Sequence, residues 1–388
     1  MLRVLLTATV LLNCVSVAYC VLCLFAALRY LHDRKRSLSF LTPLPPMSLL
    51  KPLKGTDPEM FENLRSHCAQ NYPVFEILFG VSDPEDPAAE IVTRLQQEFP
   101  NCSMRLVHCT KNLGANGKVS TLAQLVPIAK YDILLVNDSD IRVEPEYLSV
   151  IAGELQKPGV GLVTCLYRGI PARTLYSKLE SLGISADFVP GVLVASLIEG
   201  GIRFGLGSTL AFRKKDLEAV GGFESLANYL ADDYHFGRRV AEHGLKVELS
   251  GTVVETHLPA YTLSAFIKHQ LRWMRTIRAS RPAGYCGLPL TFTLAWAFAA
   301  LLLSRGAPWG WAMLAIAAFV RLATAIITGR FLLRDLSLPS LLWLLPVRDL
   351  IAPFIWAAGL VGDTIVWRDT KFKLKDGKLI TIGQENSF

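Results

Sequence analysis

An apolar run near the start of the sequence constrains the fold more than any other feature. It extends from Val4 to Leu28 and contains no charged residue, whereas about 20 apolar residues are enough for a helix to cross a bilayer. A cleaved signal peptide is the alternative, but the run is longer than the apolar region of such a peptide and no convincing cleavage site follows it. The sequence therefore predicts a permanent membrane anchor at residues 1–31.

Positive charge is distributed unequally around this run. Arg29, Arg34, Lys35 and Arg36 follow it, whereas Arg3 precedes it. Because Lys and Arg concentrate on the cytoplasmic side of membrane helices, we expect the residues after the run to lie in the cytoplasm. The expected location is a bacterial inner membrane, with the Golgi or ER membrane as the alternative.

The composition supports a membrane protein with a reduced main domain. Of the 388 residues, 51% are hydrophobic and 19% are charged, and the formal net charge is +7. These values exclude a disordered, a collagen-like and a purely water-soluble chain. The eight cysteines lack the spacing of a secreted disulfide framework, which favours a reducing compartment.

A second apolar region covers residues 283–367. Ala283–Ser304 is uncharged and long enough to span a bilayer, and Gly306–Gly329 is a further run interrupted only by Arg321. An arginine inside a span is costly, so we expect Arg321 to face protein, water or headgroups.

The end of this region is less regular. Leu336–Leu345 is too short to cross, and Leu350–Trp367 contains Pro353 and Asp363. If the basic tail at residues 368–388 shares the cytoplasmic side with the main domain, the number of crossings between them must be even. The sequence therefore predicts two spans followed by a re-entrant or interfacial hairpin.

Residues 51–282 have the composition of a globular α/β domain, and a Pro-rich linker at residues 32–50 leads into it. Runs with strand character alternate there with amphipathic runs whose apolar residues recur every three or four positions. The predicted strands are Phe75–Val81, Met104–Cys109, Ile133–Asn137, Gly161–Cys165, Ser208–Arg213 and Val247–Leu249. The predicted helices are Pro58–Gln70, Ala88–Phe99, Val119–Lys130 and Pro145–Gln156. This alternation predicts an α/β sheet that binds its ligand at the carboxyl ends of the strands.

Two carboxylates, Asp138 and Asp140, follow one predicted strand directly. Alternate side chains point the same way, so both can reach one cation, and their oxygens suit Mg²⁺ or Mn²⁺. Such a cation would bind a diphosphate and neutralise a departing nucleotide. The alternative is a solvated acidic turn, and the position after an apolar strand favours the metal.

A second acidic pair, Asp232 and Asp233, precedes a predicted helix at Tyr234–His243. The pair could simply cap that helix. Alternatively, one carboxylate with a pKa raised by partial burial could act as a general base toward a substrate hydroxyl.

The residues Tyr261–Arg281 predict a helix with one apolar face and one basic face that includes Lys268, Arg272 and Arg275. It could lie in the membrane interface with its basic side against anionic headgroups. It could also direct Arg272 at a diphosphate, since arginine makes forked contacts with phosphate oxygens. Both uses are compatible.

Weaker signals lie in two loops. Asp83 and Asp86 belong to a Pro-bracketed acidic loop after a predicted strand, where a turn with helix-capping carboxylates is the alternative. Lys118 follows a Gly-rich segment before a predicted helix, without a Walker pattern.

His257 and His269 are isolated in the sequence, and packing is at least as well supported for them as metal ligation.

In this order and spacing, the motifs resemble the ceramide glucosyltransferase family and its bacterial relatives that glycosylate hopanoid lipids. The family pattern has three Asp positions followed by (Gln/Arg)-x-x-Arg-Trp. Asp83, Asp138 and Asp233 match the three Asp positions, and the last motif matches His269-Gln-Leu-Arg-Trp273 except that His269 replaces Gln or Arg. The resemblance covers nearly the whole chain. It implies a Rossmann-like GT-A domain with membrane helices at both ends.

The resemblance also implies a role for each matched position. Asp83 would contact the uracil end of a UDP-sugar, Asp138 with its companion Asp140 the metal and the diphosphate, and Asp233 would be the base. The other candidates for donor binding are Asp86, Lys118, Gln270, Arg272 and Trp273.

The expected reaction is a single displacement with inversion, in which a lipid hydroxyl attacks a UDP-hexose while Asp233 accepts its proton. A divalent cation and Arg272 would stabilise the leaving UDP, and Trp273 would exclude water. The acceptor is expected to be ceramide, which would receive glucose, or a hopanoid, which would receive N-acetylglucosamine. The alternatives are a processive polysaccharide synthase and an inactive, membrane-anchored nucleotide-sugar-binding protein. Nucleic-acid binding is not favoured, because the basic residues cluster beside apolar runs.

Overall fold

The computed structural model describes residues 1–36, 44–367 and 370–382. Residues 37–43 of the predicted linker, and residues 368, 369 and 383–388 of the predicted tail, lie outside these ranges. The chain divides into two compact units. We call them the sheet unit, which comprises residues 33–170, 196–259 and 377–388, and the helical unit, which comprises residues 1–32, 171–195 and 260–376.

The strands alternate with helices through the first two thirds of the chain. The strands are β1 (Met47–Leu53), β2 (Phe75–Val81), β3 (Ser103–His108), β4 (Ile133–Val136), β5 (Ile141–Arg142), β6 (Val160–Ile170), β7 (Leu210–Arg213), β8 (Lys246–His257), β9 (Thr364–Trp367), β10 (Thr370–Lys375) and β11 (Lys378–Thr381). The helices are α1 (Leu2–Arg36), α2 (Met60–Cys68), α3 (Ala88–Glu98), α4 (Gly117–Leu125), α5 (Tyr147–Leu155), α6 (Leu175–Gly183), α7 (Val189–Ile198), α8 (Lys214–Ala219), α9 (Asp232–Glu242), α10 (Leu263–Ser280), α11 (Pro282–Gly287), α12 (Thr293–Leu303), α13 (Pro308–Ala325), α14 (Leu338–Leu341) and α15 (Leu345–Leu360).

The sheet unit contains a mixed sheet in the order β3-β2-β1-β4-β7-β6-β8-β5. Strands β3, β2, β1 and β4 are parallel, β7 runs antiparallel to both of its neighbours, and β6 and β8 are parallel to each other. The predicted α/β class is therefore confirmed, with a sheet that is mixed rather than wholly parallel.

The central parallel strands β1, β2 and β4 are buried on both faces. Leu49 of β1 lies between Ile77 of β2 and Leu135 of β4 in the strand register, and all three side chains are fully buried. Helices cover such a sheet on its faces. Helix α3 does so with Ala88 and Val92, which are spaced by one helical turn and are both buried.

One correction concerns the predicted linker at residues 32–50. Helix α1 continues to Arg36, and residues 47–50 belong to β1, which lies inside the sheet. The strand was missed because Lys51 and Pro52 interrupt its apolar run. The predicted domain boundaries at residues 31, 282 and 367 stay predictions.

The helical unit provides helices that are long and apolar enough to cross a membrane. Among the described residues there are four such helices, at Leu2–Arg34, Leu175–Ile198, Pro308–Leu332 and Leu338–Leu360. The first and third coincide with the runs predicted as spans at Val4–Leu28 and Gly306–Gly329, and both are long and apolar enough to cross.

The other membrane predictions need correction. The run at Ala283–Ser304 is not one straight span, since Pro282–Thr291 and Thr293–Leu303 meet at an angle of 50°. The predicted hairpin is instead the long helical run Leu338–Leu360. Pro346 stands in the first turn of α15, where its missing N–H costs no helical hydrogen bond, so the helix continues past it.

The span-capable helix Leu175–Ile198 was not predicted, because it contains Glu180 and Asp187. Both carboxylates have partners within the helical unit. Asp187 accepts hydrogen bonds from Arg321 and Arg348, and the contacts of Glu180 are described below. Charges inside a span are tolerated when they are paired in this way.

Arg321 faces protein, as one of the sequence alternatives predicted. Its guanidinium makes two hydrogen bonds of 2.8 Å to the carboxylate of Asp349, and both residues are buried. Since Arg321 lies on α13 and Asp349 on α15, this pair joins two helices of the unit.

Candidate active site

The acidic loop follows β4 at the carboxyl edge of the sheet. Asn137, its first residue, is fully buried, and its side-chain amide donates to the hydroxyl of Tyr147 (2.8 Å) and to the carbonyl of Ser208 (2.8 Å). These bonds fix the chain where the loop begins. The carboxylates of Asp138 and Asp140 come next, at the place where an open α/β sheet binds its ligand.

Asp138 lies against Lys118, which stands in the first turn of α4. The Nζ atom of Lys118 is 2.7 Å from Asp138 Oδ1 and 3.7 Å from Asp232 Oδ2. Asn116 caps the helix by accepting from the N–H of Val119, and this cap fixes the position of Lys118. The Lys118 side chain is 17% exposed and that of Asp138 is 41% exposed, so a ligand can reach the Asp138 carboxylate.

Asp233 and Asp138 both lie beside Gly207. Its Oδ2 atom accepts a 2.6 Å hydrogen bond from the Gly207 N–H, and its Oδ1 accepts from the N–H of Tyr234 (2.8 Å). A Cβ atom at position 207 would lie 3.2 Å from Oδ2 of both Asp138 and Asp233. The glycine therefore allows the two carboxylates to approach the same short stretch of backbone.

The second acidic pair has separate roles for its two residues. Asp232 is buried, and its Oδ1 accepts from the side-chain amide of Asn116 (3.3 Å). Asp233 is only half-buried. Both residues lie in the first turn of α9, as the capping alternative predicted, but the N-cap residue itself is Ala231. Because Asp233 is the more accessible of the two, it is the better candidate for a base.

The electrostatics of the pair favour proton transfer near neutral pH. Burial and the neighbouring charge of Asp232 raise the pKa of Asp233 to about 6, against the opposing effect of Lys118. Burial by itself would lower the pKa of Lys118, but the carboxylates of Asp138, Asp232 and Asp233 raise it above its usual value. Lys118 is therefore charged at neutral pH, and Asp233 is ionised but basic enough to accept a proton.

Asp140 is held from the other side by the end of β8. The Thr256 hydroxyl donates to Asp140 Oδ2 (2.7 Å), and the backbone N–H of His257 donates to the Asp140 carbonyl (3.0 Å). Burial and the charge of Asp138 raise the pKa of Asp140 to about 6. The imidazole of His257 is buried, with Nε2 3.5 Å from Glu255 Oε2.

A cation at these carboxylates would need further ligands. Among residues 1–36, 44–367 and 370–382, no three His, Cys, Asp or Glu side chains are grouped to hold a metal ion. Mg²⁺ is, however, commonly bound through one or two carboxylates together with substrate phosphates. Asp138 and Asp140 are the candidates for such a pair, because both lie in the short loop that follows β4.

The first acidic loop is divided between an exposed and a buried carboxylate. Asp83 is exposed, and its Oδ1 accepts from the Glu85 N–H (3.0 Å). Asp86 is buried and accepts from the backbone N–H groups of Gly55 and Ala88. Asp83 can therefore contact a ligand, whereas Asp86 holds the loop after β1 against the start of α3.

A buried lysine beneath the acidic loop was missed from the sequence. Lys51 of β1 is fully buried, with Nζ 2.8 Å from His67 Nε2 and 3.2 Å from Asn137 Oδ1. Burial lowers its pKa, while Asp138 and Asp140 act in the opposite direction. A lysine inside an otherwise apolar strand was the available signal. Through Asn137, it supports the start of the acidic loop.

In the helical unit, the last motif lies on α10 and surrounds Glu180 of α6. His269 Nε2 is 3.2 Å from Glu180 Oε1, and the amide of the buried Gln270 donates to Glu180 Oε2. Arg272 Nη2 is 3.1 Å from His269 Nδ1. The ring of Trp273 packs edge-on against Phe188 at a centroid distance of 5.4 Å. Glu180 was not predicted, since an isolated glutamate in an apolar run gives no motif.

The comparisons with known proteins agree with this fold. A mannosyltransferase from Pyrobaculum calidifontis, whose structure was solved with GDP-Man and Mn²⁺, superposes with a TM-score of 0.52 at 20% identity, covering 90% of this chain and 97% of that one. Ceramide glucosyltransferase 1 of Caenorhabditis elegans is 27% identical over 343 residues, which are 86% of this chain and 72% of the relative. The ceramide glucosyltransferase of Candida albicans is 37% identical over 164 residues, covering 37% and 30%.

The fold defines the class of the protein, a GT-A glycosyltransferase. The model of glycosyl transferase family 21 matches residues 8–380, and the chain belongs to that family. It is accordingly a hexosyltransferase, which confirms the predicted enzyme class and the predicted resemblance.

Proposed function

We propose that the protein transfers a hexose from a UDP-sugar to the hydroxyl of a membrane lipid, with inversion at the anomeric carbon. The observation that carries the proposal is the placement of Asp233 beside Asp138 at Gly207, with Lys118 against Asp138. This arrangement supplies an accessible base next to groups that suit a diphosphate. The names of the relatives, ceramide glucosyltransferases, support a lipid acceptor.

Asp233 is assigned to the proton transfer. The acceptor oxygen forms a bond to the anomeric carbon and gives its proton to a carboxylate oxygen of Asp233. The bond between that carbon and the phosphate oxygen breaks, and its electron pair leaves with UDP. The Gly207 N–H, which donates to Asp233 Oδ2, orients the carboxylate, and no covalent intermediate with the protein is needed.

The leaving diphosphate needs positive charge. Lys118 is charged and lies at Asp138, and arginine makes forked contacts with phosphate, which suits Arg272 to the same purpose. Asp138 and Asp140 would hold Mg²⁺ or Mn²⁺, which would supply charge neutralisation for the departing nucleotide. We assign Asp83, which is exposed in the loop after β2, to the uracil end of the donor.

The acceptor is proposed to be a lipid because the enzyme has span-capable helices. Ceramide, receiving glucose, is the first candidate, since the relatives bear that activity in their names. A hopanoid receiving N-acetylglucosamine is the second. We place the catalytic residues on the cytoplasmic side of the membrane, from the positive charges that follow Leu28.

The test uses the purified full chain in lipid nanodiscs. UDP-glucose with ceramide, and UDP-N-acetylglucosamine with a hopanoid polyol, are each incubated with Mg²⁺ or Mn²⁺ and with EDTA, and the extracted lipids are identified by mass spectrometry. We expect a monoglycosylated lipid and equimolar UDP, with loss of both in EDTA. A ladder of oligosaccharides would indicate a polysaccharide synthase, and UDP binding without any product would indicate an inactive binding protein.

A further inference from the structure

Glu180 is a buried carboxylate at the centre of the motif on α10. Its side chain is 6% exposed, and each of its two oxygens has a partner on that helix. Oε1 is 3.2 Å from His269 Nε2, and Oε2 accepts from Gln270 Nε2. A buried carboxylate with two side-chain partners on a neighbouring helix fixes the rotation of that helix and the rotamers of both partners.

The contacts of His269 determine its tautomer. A carboxylate only accepts hydrogen bonds and an arginine only donates them. The proton must therefore be on Nε2, facing Glu180, and Nδ1 must carry the lone pair that accepts from Arg272 Nη2 at 3.1 Å. The ring lies between Tyr261 and Trp273, at centroid distances of 5.2 and 6.0 Å, which restricts its rotation.

We propose that Glu180 and His269 are positioning residues that hold the Arg272 guanidinium in the orientation required by the leaving diphosphate. The inference rests on the proposed function, because that function assigns Arg272 to the phosphates. Glu180 selects the tautomer, the tautomer supplies an acceptor, and the acceptor fixes one nitrogen of Arg272. A guanidinium is a planar fork that suits phosphate oxygens, so its orientation decides whether it can bind them.

The family pattern has glutamine or arginine at this position, and this chain of contacts explains how a histidine can take the place of the glutamine. A glutamine side chain also has a donor, its NH₂, and an acceptor, its carbonyl oxygen. It can donate to Glu180 and accept from Arg272 as His269 does. A phenylalanine of similar size can do neither. His269→Gln is thus a conservative variant, whereas His269→Phe removes both hydrogen-bonding groups and keeps an aromatic ring.

The experiment measures UDP affinity and transfer rate for the full chain in nanodiscs. The variants are Glu180→Gln, His269→Gln and His269→Phe, with Lys268→Met, an exposed residue on the same helix, as the matched control. We expect His269→Phe to weaken UDP binding about tenfold or more, since a hydrogen bond to a charged group is lost. Glu180→Gln should weaken it less, and His269→Gln and Lys268→Met should stay within about twofold of the natural enzyme.

Rescue by the conservative variant separates positioning from packing. Glutamine restores both hydrogen bonds of His269 but not its aromatic ring, so His269→Gln should keep the UDP affinity and the transfer rate that His269→Phe loses. A His269→Gln enzyme whose UDP affinity falls about tenfold would overturn the inference, even if His269→Phe does not fold. The inference would also be overturned if the natural enzyme binds UDP and transfers the sugar while His269→Phe has the same UDP affinity and transfer rate. The proposed function would then stand. If the natural enzyme itself neither binds UDP nor glycosylates lipid, the proposed function fails, and with it the assignment of Arg272 on which the inference rests.

Discussion

Gly207 is the residue at which the two proposed catalytic carboxylates meet. A methyl group there would lie 3.2 Å from an oxygen of Asp138 and of Asp233, so both side chains would have to move. We predict that Gly207→Ala lowers kcat by about ten- to a hundredfold through misplacement of the base, with little loss of stability. Gly117→Ala is the matched control, because a Cβ atom at Gly117 meets no atom within 4 Å. Steady-state kinetics with equal rates for both variants would contradict the assignment.

The base itself predicts a pH dependence. The pKa of Asp233 is raised to about 6 by burial and by Asp232, and a general base works only when deprotonated. The rate at saturating donor should therefore fall as the pH decreases through about 6. Asp232→Asn removes the neighbouring charge, keeps an oxygen acceptor for Asn116, and should move this decline to lower pH.

The pKa of Asp140 is also raised to about 6, but Asp232 is not among the groups that raise it. A pH profile that is identical for Asp232→Asn and the natural enzyme would therefore show that Asp233 does not cause the decline. Asp233→Asn should retain UDP binding and lose about 10²–10⁴-fold in rate.

The sequence identified acidic residues more reliably than the groups that hold them. Asp138, Asp140 and Asp233 lie where their strands and motifs predicted. The residues that hold the acidic loop lie on strands distant in the chain: Lys51 donates to Asn137 at the start of the loop, and Thr256 donates to Asp140. Such partners depend on the register of the sheet, which local periodicity does not specify.

At the scale of helices, the pair between Arg321 and Asp349 joins α13 to α15. Removing one partner leaves the other charge buried without compensation. We predict that Arg321→Leu lowers the free energy of unfolding in detergent by about 3–5 kcal/mol, and that the double variant Arg321→Leu/Asp349→Leu recovers much of the loss. Denaturant-induced unfolding followed by tryptophan fluorescence measures both. A double variant less stable than the single one would contradict this account.

Elements were predictable where their pattern was long and regular. Strand β2 and helix α3 agree with the predicted ranges to within one residue. The prediction failed at β1, where Lys51 is buried through its contacts with His67 and Asn137. It also failed at Leu175–Ile198 and Leu338–Leu360, where paired charges occupy helices that appear too polar when each segment is considered alone.

At the scale of the whole molecule, the orientation in the membrane is a prediction from the charges around the first apolar run. Expressed in a bacterial inner membrane, the chain with green fluorescent protein fused after Phe388 should fluoresce, because that protein matures in the cytoplasm. Protease added to spheroplasts should remove a tag placed before Met1 and leave the fused fluorescent protein intact. The reverse protection pattern would contradict the orientation.

The central claim is a direct displacement on a UDP-hexose in which Asp233 accepts the proton of a lipid hydroxyl. The most direct test is the anomeric configuration of the glycolipid formed from an α-linked UDP-hexose, determined by the proton coupling constant in its NMR spectrum. The account predicts the β-anomer, formed by the natural enzyme and lost with Asp233→Asn. An α-linked product, or a β-linked product formed at an undiminished rate by Asp233→Asn, would contradict it.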